Sequence, residues 1–291
     1  MPPRYPERDD KPHWTLYVLA LLLLAVAGYF GWQYYQARQA PVPPEPAPVA
    51  SAPVAPPAPA EPAAPAIQHP VEPPAGEPVA EPASLPALAD ADPYVGERLG
   101  ELLGRPNVLR FLQLEGFVKR TVATVDNLGR SHAPVLVWPV NPTPGKFSPA
   151  QSADGSAQTI HPDNAARYEP FVRFVESVDT GQAVALYRRL YPLFQQAYEE
   201  LGFPGRYFND RLVQVLDQLI ATPVPAAPPA VVLVEVKGEV PSTRPWVRYE
   251  YADPKLQSMS AGQKMLLRVG AGNQRRLQAK LVDIRGRVAK R

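Results

Sequence analysis

The sequence predicts an α+β protein, in which a predominantly α-helical globular domain with a small sheet occupies residues 85–291. A single transmembrane helix and a disordered linker precede that domain. Three observations predict this order: residues 14–37 carry no charge, residues 38–84 are rich in proline and alanine, and the remainder has a mixed composition with enough residues for one core. The chain has no cysteine, which excludes disulfides, cysteine-ligated metal sites and a thiol nucleophile.

Residues 14–37 are long enough to cross a hydrocarbon core of about 30 Å as a helix. Aromatic residues lie at both ends of this stretch, as they do at the level of lipid headgroups. The short segment 1–13 carries three basic residues, whereas a single arginine follows the span before Arg98. By the positive-inside rule, we expect residues 1–13 in the cytoplasm and the rest of the chain outside it.

A cleaved signal peptide is the alternative for this N-terminal region, because Ala25-Val26-Ala27 matches a cleavage site after an apolar run. Cleavage after Ala27 leaves a mature N-terminus that begins with a cluster of exposed aromatic residues. An uncleaved anchor places the same residues at the membrane interface, and we favour it.

Residues 38–84 form the predicted linker. Proline fixes φ and biases the preceding residue towards extended conformations, so we expect a chain similar to polyproline II, with about 3.1 Å per residue. Five glutamates are the only charges between residues 41 and 84, and they keep the stretch solvated. We favour a bare spacer that holds the domain clear of the membrane, and a proline-motif docking site is the alternative.

Amphipathic periodicity and capping residues predict the helices of the domain. The predicted helices begin at Asp92 as N-cap with Pro93 next, at Pro106, Phe117, Asp163, Asp179, Tyr207 and Asp253-Pro254, at Ser260 with Gln263 as a capping box, and at Asn273 after Gly270 and Gly272. We expect Gly202 to end the helix that begins at Asp179, and Pro192 to kink or divide it.

Short strands are predicted from β-branched runs bounded by turn residues. Residues 133–140 are assigned to an edge strand because the run contains two prolines, and residues 230–236 and 246–251 are assigned to two further strands. Residues 141–159 are assigned to a loop, with Pro-Gly and Asp-Gly steps as turn signals.

Basic residues are concentrated at the C-terminus, where residues 255–291 contain ten lysines or arginines and one acidic residue. On the last helix an apolar stripe adjoins a candidate basic surface: Arg275, Arg276, Lys280, Arg285 and Arg287. An amphipathic basic helix suits an anionic envelope surface. We favour the simpler interpretation, in which the stripe packs on the core and the charges are solvated. The inferred topology and the lack of a helix-turn-helix pattern argue against nucleic acid as a partner.

No motif in the domain predicts catalysis, a cofactor or a metal site, and we therefore name no catalytic, cofactor-binding or metal-ligating residue. The histidines of the domain, His132 and His161, lack the spacing of a metal-binding helix face. The nucleophile elbow, the phosphate-binding loop and the dinucleotide-binding turn do not occur in the sequence.

Residues 187–211 are unusually rich in aromatic residues, and they also contain two prolines and two glycines. Aromatic residues at helical spacing most often form core, and Gly202-Phe203-Pro204-Gly205 is typical of a turn between antiparallel helices. Tyrosine and arginine also favour interfaces. A shallow binding surface is therefore the alternative, with this candidate interaction surface: Tyr187, Tyr191, Tyr198, Arg206, Tyr207, Asn209 and Asp210.

Residues 85–291 also resemble a proteobacterial family, the domain of unknown function 3014. The runs that carry the resemblance are Leu85-Pro86-Ala87-Leu88, Asp90-Ala91-Asp92-Pro93, Val125-Asp126-Asn127-Leu128, Tyr191-Pro192-Leu193, Ala197-Tyr198, Leu201 to Pro204, Phe208-Asn209-Asp210 and Ser260-Ala261-Gly262-Gln263-Lys264. The resemblance implies a Gram-negative envelope protein with one membrane anchor, and it supplies no activity, cofactor or catalytic residue. With the charge distribution, we expect that anchor in the inner membrane and the domain in the periplasm. The chain departs from the family at Ala91, where a serine is expected.

Two functions fit the sequence. The favoured one is a non-enzymatic adaptor or scaffold, anchored in the inner membrane, whose periplasmic domain binds a protein or a cell-wall component. The alternative is a membrane-tethered hydrolase that acts on an envelope polymer. The alternative requires Asp126, His161, Asp163 or Asp210 to assemble into one site in the fold.

Overall fold

A computed structural model describes residues 66–71, 85–152, 155–235 and 243–289. The predicted cytoplasmic segment, the predicted transmembrane helix 14–37 and most of the linker lie outside these ranges. Among the described residues, none of the helices combines the length and the hydropathy that a membrane crossing requires.

Helices build most of the described chain, and a small antiparallel sheet completes it, so the predicted α+β class is confirmed. The helices are α1 (Asp92–Leu103), α2 (Arg105–Phe111), α3 (Phe117–Leu128), α4 (Asp163–Ser177), α5 (Thr180–Glu200), α6 (Phe208–Ile220), α7 (Pro254–Gln257), α8 (Ala261–Arg268) and α9 (Ala271–Val288). Short 3₁₀ turns cover Leu88–Asp90, Val135–Val137 and Pro245–Val247.

The helical core forms around α5, α6 and α9. Helix α9 packs against α4, α5 and α6, and α3 packs against α5 and α6. The largest cluster includes Val95, Val122 and Phe208, none of which is more than 1% exposed. Full burial of such a side chain contributes about 1.5–3 kcal/mol relative to exposure. Close approach of α8 to α6 depends on Gly262, because a Cβ there would lie 2.6 Å from a Leu219 methyl carbon.

The sheet contains four antiparallel strands in the order β1 (Pro149–Gln151), β2 (Gln158–Ile160), β3 (Ala230–Leu233) and β4 (Tyr249–Tyr251). In the register, Ala150 pairs with Thr159, Thr159 with Ala230, and Val231 with Tyr251. The buried face of the sheet packs on Leu267 of α8. The two strands predicted at 230–236 and 246–251 are confirmed in shorter form.

The edge strand predicted for residues 133–140 is wrong. Residues Val135–Val137 form a 3₁₀ turn instead, and Val140 makes only an isolated bridge to Leu112. Thr124 of α3 donates a hydrogen bond to the Val137 carbonyl oxygen at 2.9 Å, which fixes the turn on the helix surface. The hairpin of β1 and β2 lies in the region predicted as a loop, on either side of the Asp-Gly step.

Of the helix caps predicted at Asp92, Ser260 and Asn273, one is present in the structure, and the other two residues lie inside helices. The capping box of Ser260 and Gln263 is present at the start of α8. Asp92, predicted as an N-cap, lies within α1, and its carboxylate accepts a hydrogen bond from the backbone N–H of Gly116 at 2.6 Å. Asn273, predicted to cap the last helix, lies inside α9 and is buried, where its amide bonds to backbone oxygens of α4 and of the residues before α9.

Helix α5 continues as one element through Pro192, so the predicted division of this helix does not occur. The residues on either side of the proline, Leu190, Tyr191, Leu193 and Phe194, are all buried. Their packing stabilises the helix around the missing N–H, because tertiary packing supplies most helical stability in proteins. Helix α5 ends at Glu200, just before Gly202 as predicted.

Candidate functional site

The clasp surface forms where α5, the turn after it and the first turn of α6 meet. It consists of Tyr187, Tyr191, Tyr207, Asn209 and Asp210. All five belong to the candidate interaction surface that the sequence predicts, and the fold brings them together.

The turn between α5 and α6 fixes the second half of the clasp surface. Gly202 and Gly205 adopt φ values of 110° and 71°, which favour glycine and let the chain reverse. The Gln195 side chain of α5 donates to the Arg206 carbonyl oxygen at 2.8 Å and accepts from the Phe208 N–H at 2.9 Å. The start of α6 is therefore tied to the C-terminal part of α5.

Six residues of the predicted linker, 66–71, lie against the clasp surface, and we call them the docked segment. The Asp210 carboxylate accepts two consecutive backbone N–H groups, those of Gln68 at 3.0 Å and His69 at 2.7 Å. Hydrogen bonds to a charged acceptor are stronger than neutral ones. These six residues contact the chain's own domain, which neither a bare spacer nor a proline-motif docking site predicts.

The docked segment ends with a residue that is held by a polar and an apolar contact. The Val71 N–H donates to the Tyr207 hydroxyl at 2.8 Å, and the Val71 side chain packs against the main hydrophobic cluster. At the other end, Ile67 is 55% exposed. The segment is thus anchored at its C-terminal half and is solvated where it begins.

Asn209 links the docked segment to the core. Its side chain is fully buried, and its amide nitrogen donates to the His69 carbonyl oxygen at 2.8 Å and to the Val288 carbonyl oxygen at 3.0 Å. Its amide oxygen accepts from the Tyr187 hydroxyl at 3.0 Å. Both amide N–H groups are used, and one of them depends on the docked segment for its partner.

Burial raises the pKa of the Tyr187 hydroxyl and of the Tyr191 hydroxyl well above their ordinary value. Both hydroxyls therefore stay protonated at neutral pH and act as donors. The Tyr191 hydroxyl donates to Gln195 at 3.0 Å and accepts from the Asn209 backbone N–H at 3.3 Å. The two rings meet edge to face, with centroids 5.7 Å apart, and fix each other in place.

Two predicted members of the interaction surface are not part of the clasp surface. Tyr198 is 3% exposed and stacks on Phe203 with ring centroids 4.6 Å apart, so it belongs to the core. Arg206 is exposed, and its carbonyl oxygen, not its guanidinium, contacts Gln195.

Most of the candidate basic surface is paired within the domain. Arg276 binds Glu169 and Glu176 of α4. Arg285 binds Asp217 at 2.8 Å, Arg287 binds Asp283 at 2.9 Å, and Lys280 donates to the Val178 carbonyl oxygen. Arg275 is exposed. The apolar stripe of α9 packs on α6, which agrees with the favoured interpretation of a helix with a solvated charged face.

The contacts of Arg276 predict an acid-dependent loss of stability. Hydrogen bonds from Arg173 and then Arg276 lower the pKa of Glu169, and those from Arg276 lower the pKa of Glu176. Carboxylates with a lowered pKa stabilise the folded state above their unfolded pKa of about 4.3, and this contribution is lost as the pH falls through the folded values. The free energy of unfolding should therefore fall less steeply below about pH 5 in an R276Q variant.

Urea unfolding of the full-length protein in detergent micelles, repeated across the acidic range, measures this dependence. The matched control is R275Q, because Arg275 is the exposed neighbour on the same helix. We expect R275Q to keep the wild-type profile. Parallel profiles for wild type and R276Q would contradict the assignment.

Of the four polar residues that a hydrolase would need, Asp126 and Asp210 have separate partners, whereas His161 and Asp163 contact each other. Asp126 binds Arg130 and Arg211, and Asp210 binds the docked segment. His161 and Asp163 lie 3.5 Å apart at the exposed start of α4. Within the described ranges, histidine, aspartate and glutamate residues form no group of three that suits a metal ion.

Sequence reasoning missed the docked segment itself. A signal was present, since Ile67, Gln68 and His69 are the only residues of their types between positions 41 and 84. A local break in the composition of a low-complexity linker marks a segment with contacts of its own. The pairing with Asn209 and Asp210 spans about 140 residues and leaves no local pattern.

Comparison with known proteins identifies the domain. The family model described as Protein of unknown function (DUF3014) matches residues 117–285, from the start of α3 into α9, and this range contains the clasp surface. No match was found among curated proteins or among solved structures. Because the matched residues make up more than half of the chain and the motifs that carry the resemblance fall largely within them, the chain belongs to the DUF3014 family.

Proposed function

We propose that this protein is a non-enzymatic adaptor or scaffold of the Gram-negative envelope, anchored in the inner membrane by residues 14–37. Its domain lies in the periplasm and binds a peptide segment of a partner protein at the clasp surface. The anchor and the periplasmic location rest on the uncharged span and on the distribution of basic residues around it.

The observation that carries the proposal is the way in which the clasp surface holds a peptide. Asp210, Tyr207 and Asn209 bind the backbone of the docked segment through four hydrogen bonds. Backbone recognition with one apolar contact is a common mode of peptide binding. A protein partner therefore fits this surface better than a wall polymer does.

Site-directed photocrosslinking in the intact envelope tests the proposal. A photoreactive amino acid replaces Arg206, beside the clasp surface, or Leu136, which is 83% exposed on the 3₁₀ turn after α3. We expect a reproducible protein partner to be captured from position 206 and not from position 136. Capture of bulk envelope proteins alone, or equal capture from both positions, would contradict an adaptor that acts through this surface.

Matched variants separate binding from catalysis in the same experiment. A D210N variant should lose the captured partner, because the two N–H groups bond to different carboxylate oxygens and an amide replaces one of these acceptors by an NH2 donor. A D217N variant changes an exposed aspartate on the same helix and should retain it. Substitution of His161 and Asp163 by alanine should also retain the captured partner.

A protease experiment tests the proposed location. Protease added to spheroplasts should degrade the domain, and a domain that stays intact would contradict a periplasmic location.

A further inference from the structure

The docked segment occupies the same surface that the proposed function assigns to a partner. Three of its N–H groups and one carbonyl group, all from the backbone, make its hydrogen bonds to the clasp surface. Gln68 is exposed, and so is Ile67. The surface therefore selects a pattern of backbone groups and leaves the side chains at the start of the peptide free to vary.

Proline suits the position between the two anchored ends. Pro70 has no N–H, and the bonds of the clasp surface use the His69 carbonyl before it and the Val71 N–H after it. Proline also fixes its own φ and restricts the residue before it, so the peptide loses less conformational entropy when it binds. A β-branched residue then packs against the hydrophobic cluster, as Val71 does.

The docked segment is an imperfect ligand at one position. The Nδ1 atom of His69 is buried, and no described residue forms a hydrogen bond with it. A buried polar atom without a partner weakens binding. A peptide with an apolar side chain at this position keeps every backbone bond and avoids that cost.

The connection to the domain compensates for a weak intrinsic affinity. Residues 72–84 join the docked segment to the first described residues of the domain. A short connection between two binding groups gives an effective concentration of about millimolar. A partner peptide in solution must compete against that concentration to occupy the surface.

From these contacts we infer that residues 66–71 are an intramolecular competitor for a partner peptide of the same class. That class has two consecutive free N–H groups, a carbonyl followed by proline, and a β-branched residue after the proline. The inference rests on the proposed function, and it adds that the binding site is closed by the chain's own linker until a better ligand displaces it.

A peptide-binding experiment on full-length protein in detergent micelles tests the inference. The probe is a fluorescent peptide with the sequence of residues 64–73, and the emptied variant carries a Gly-Ser stretch of equal length in place of residues 66–71. We expect the emptied variant to bind the probe at least about tenfold more tightly than wild type does. In the emptied variant, D210N should abolish binding and D217N should leave it unchanged.

A substitution in the docked segment provides a second arm. In the otherwise wild-type chain, H69L should strengthen the intramolecular contact and weaken probe binding by a further factor of about ten. If wild type and the emptied variant bind the probe equally, residues 66–71 do not compete with it and the inference is wrong. Absence of binding to the emptied variant would show that the segment is not a ligand.

The two proposals fail in different ways. In one case, a partner is captured from position 206 but the probe binds wild type and the emptied variant equally. This result would contradict the intramolecular competition and support the adaptor. In the other case, the probe binds the emptied variant tightly but no partner is captured in the envelope. This result would support the intramolecular ligand and contradict the adaptor.

Discussion

An N209A variant is expected to lose about 3 to 4 kcal/mol of the free energy of unfolding. The fully buried amide of Asn209 is the common partner of the Tyr187 hydroxyl and of the Val288 and His69 carbonyl oxygens. Truncation to alanine leaves these three polar groups without that partner, and each buried group without a partner costs about 1–3 kcal/mol. Urea unfolding of the full-length protein, followed by circular dichroism, measures the loss.

The matched control for Asn209 is N127A. Asn127 lies on α3 and donates to the Ala123 carbonyl oxygen one turn earlier in the same helix, so its removal should cost about 1 kcal/mol or less. A double-mutant cycle with the emptied variant isolates the part of this stability loss that comes from the contact with the docked segment. The cost of N209A should be smaller in the emptied background, and equal costs in both backgrounds would contradict the bond to His69.

A D126A variant is expected to lose about 3 kcal/mol. The Asp126 side chain is 6% exposed, and its carboxylate binds Arg211 of α6 at 3.0 Å and Arg130 at 2.6 Å. The Arg211 side chain is only 19% exposed, and its guanidinium would be left without its carboxylate partner. Removal of one partner from a buried ion pair is costly because the other charge stays desolvated.

Two further variants test the origin of that loss. Asp217 forms an exposed pair with Arg285, and D217A should cost no more than about 1 kcal/mol. The double variant D126L/R211M replaces the Asp126–Arg211 pair by apolar side chains and should recover part of the loss. A cost for D126A as small as that for D217A would show that the Asp126 pair contributes no more than a surface pair.

The helices could be predicted because their signals are local. Ser260 and Gln263 lie three residues apart and form the predicted capping box, and Gly202 follows the end of α5 as expected. Asp92 shows the limit of such reasoning. Its residue type suits a cap, but a bond to Gly116, 24 residues away, determines where its carboxylate points.

The strands were harder to predict because two of the four are too short to show a strand pattern. Strand β1 is Pro-Ala-Gln, with no β-branched residue, and β2 is Gln-Thr-Ile, whose two β-branched residues are too few to mark a strand. The run Val135-Leu136-Val137 has strand composition, but Pro134 and Pro139 surround it and its side chains are largely exposed. Strand pairing decided the first case, and contact with α3 decided the second.

The grouping of the candidate residues could be predicted in part. Residue types typical of interfaces led to a set of seven, of which five lie together around the docked segment, and burial places Tyr198 in the core. The identity of the occupant depended on a contact between residues about 140 positions apart. Such a contact has no signature in local periodicity, and only the folded chain reveals it.

In the proposed membrane-anchored protein, docking of residues 66–71 would also set the length of the tether between the membrane and the domain. With the segment bound, the chain between the predicted span and the domain is residues 38–65, which reach at most about 90 Å at 3.1 Å per residue. Release extends the tether to residues 38–84 and its maximum reach to about 150 Å. A ligand that displaces the segment would therefore also change how far from the membrane the domain can travel, so that occupancy of one surface is converted into distance.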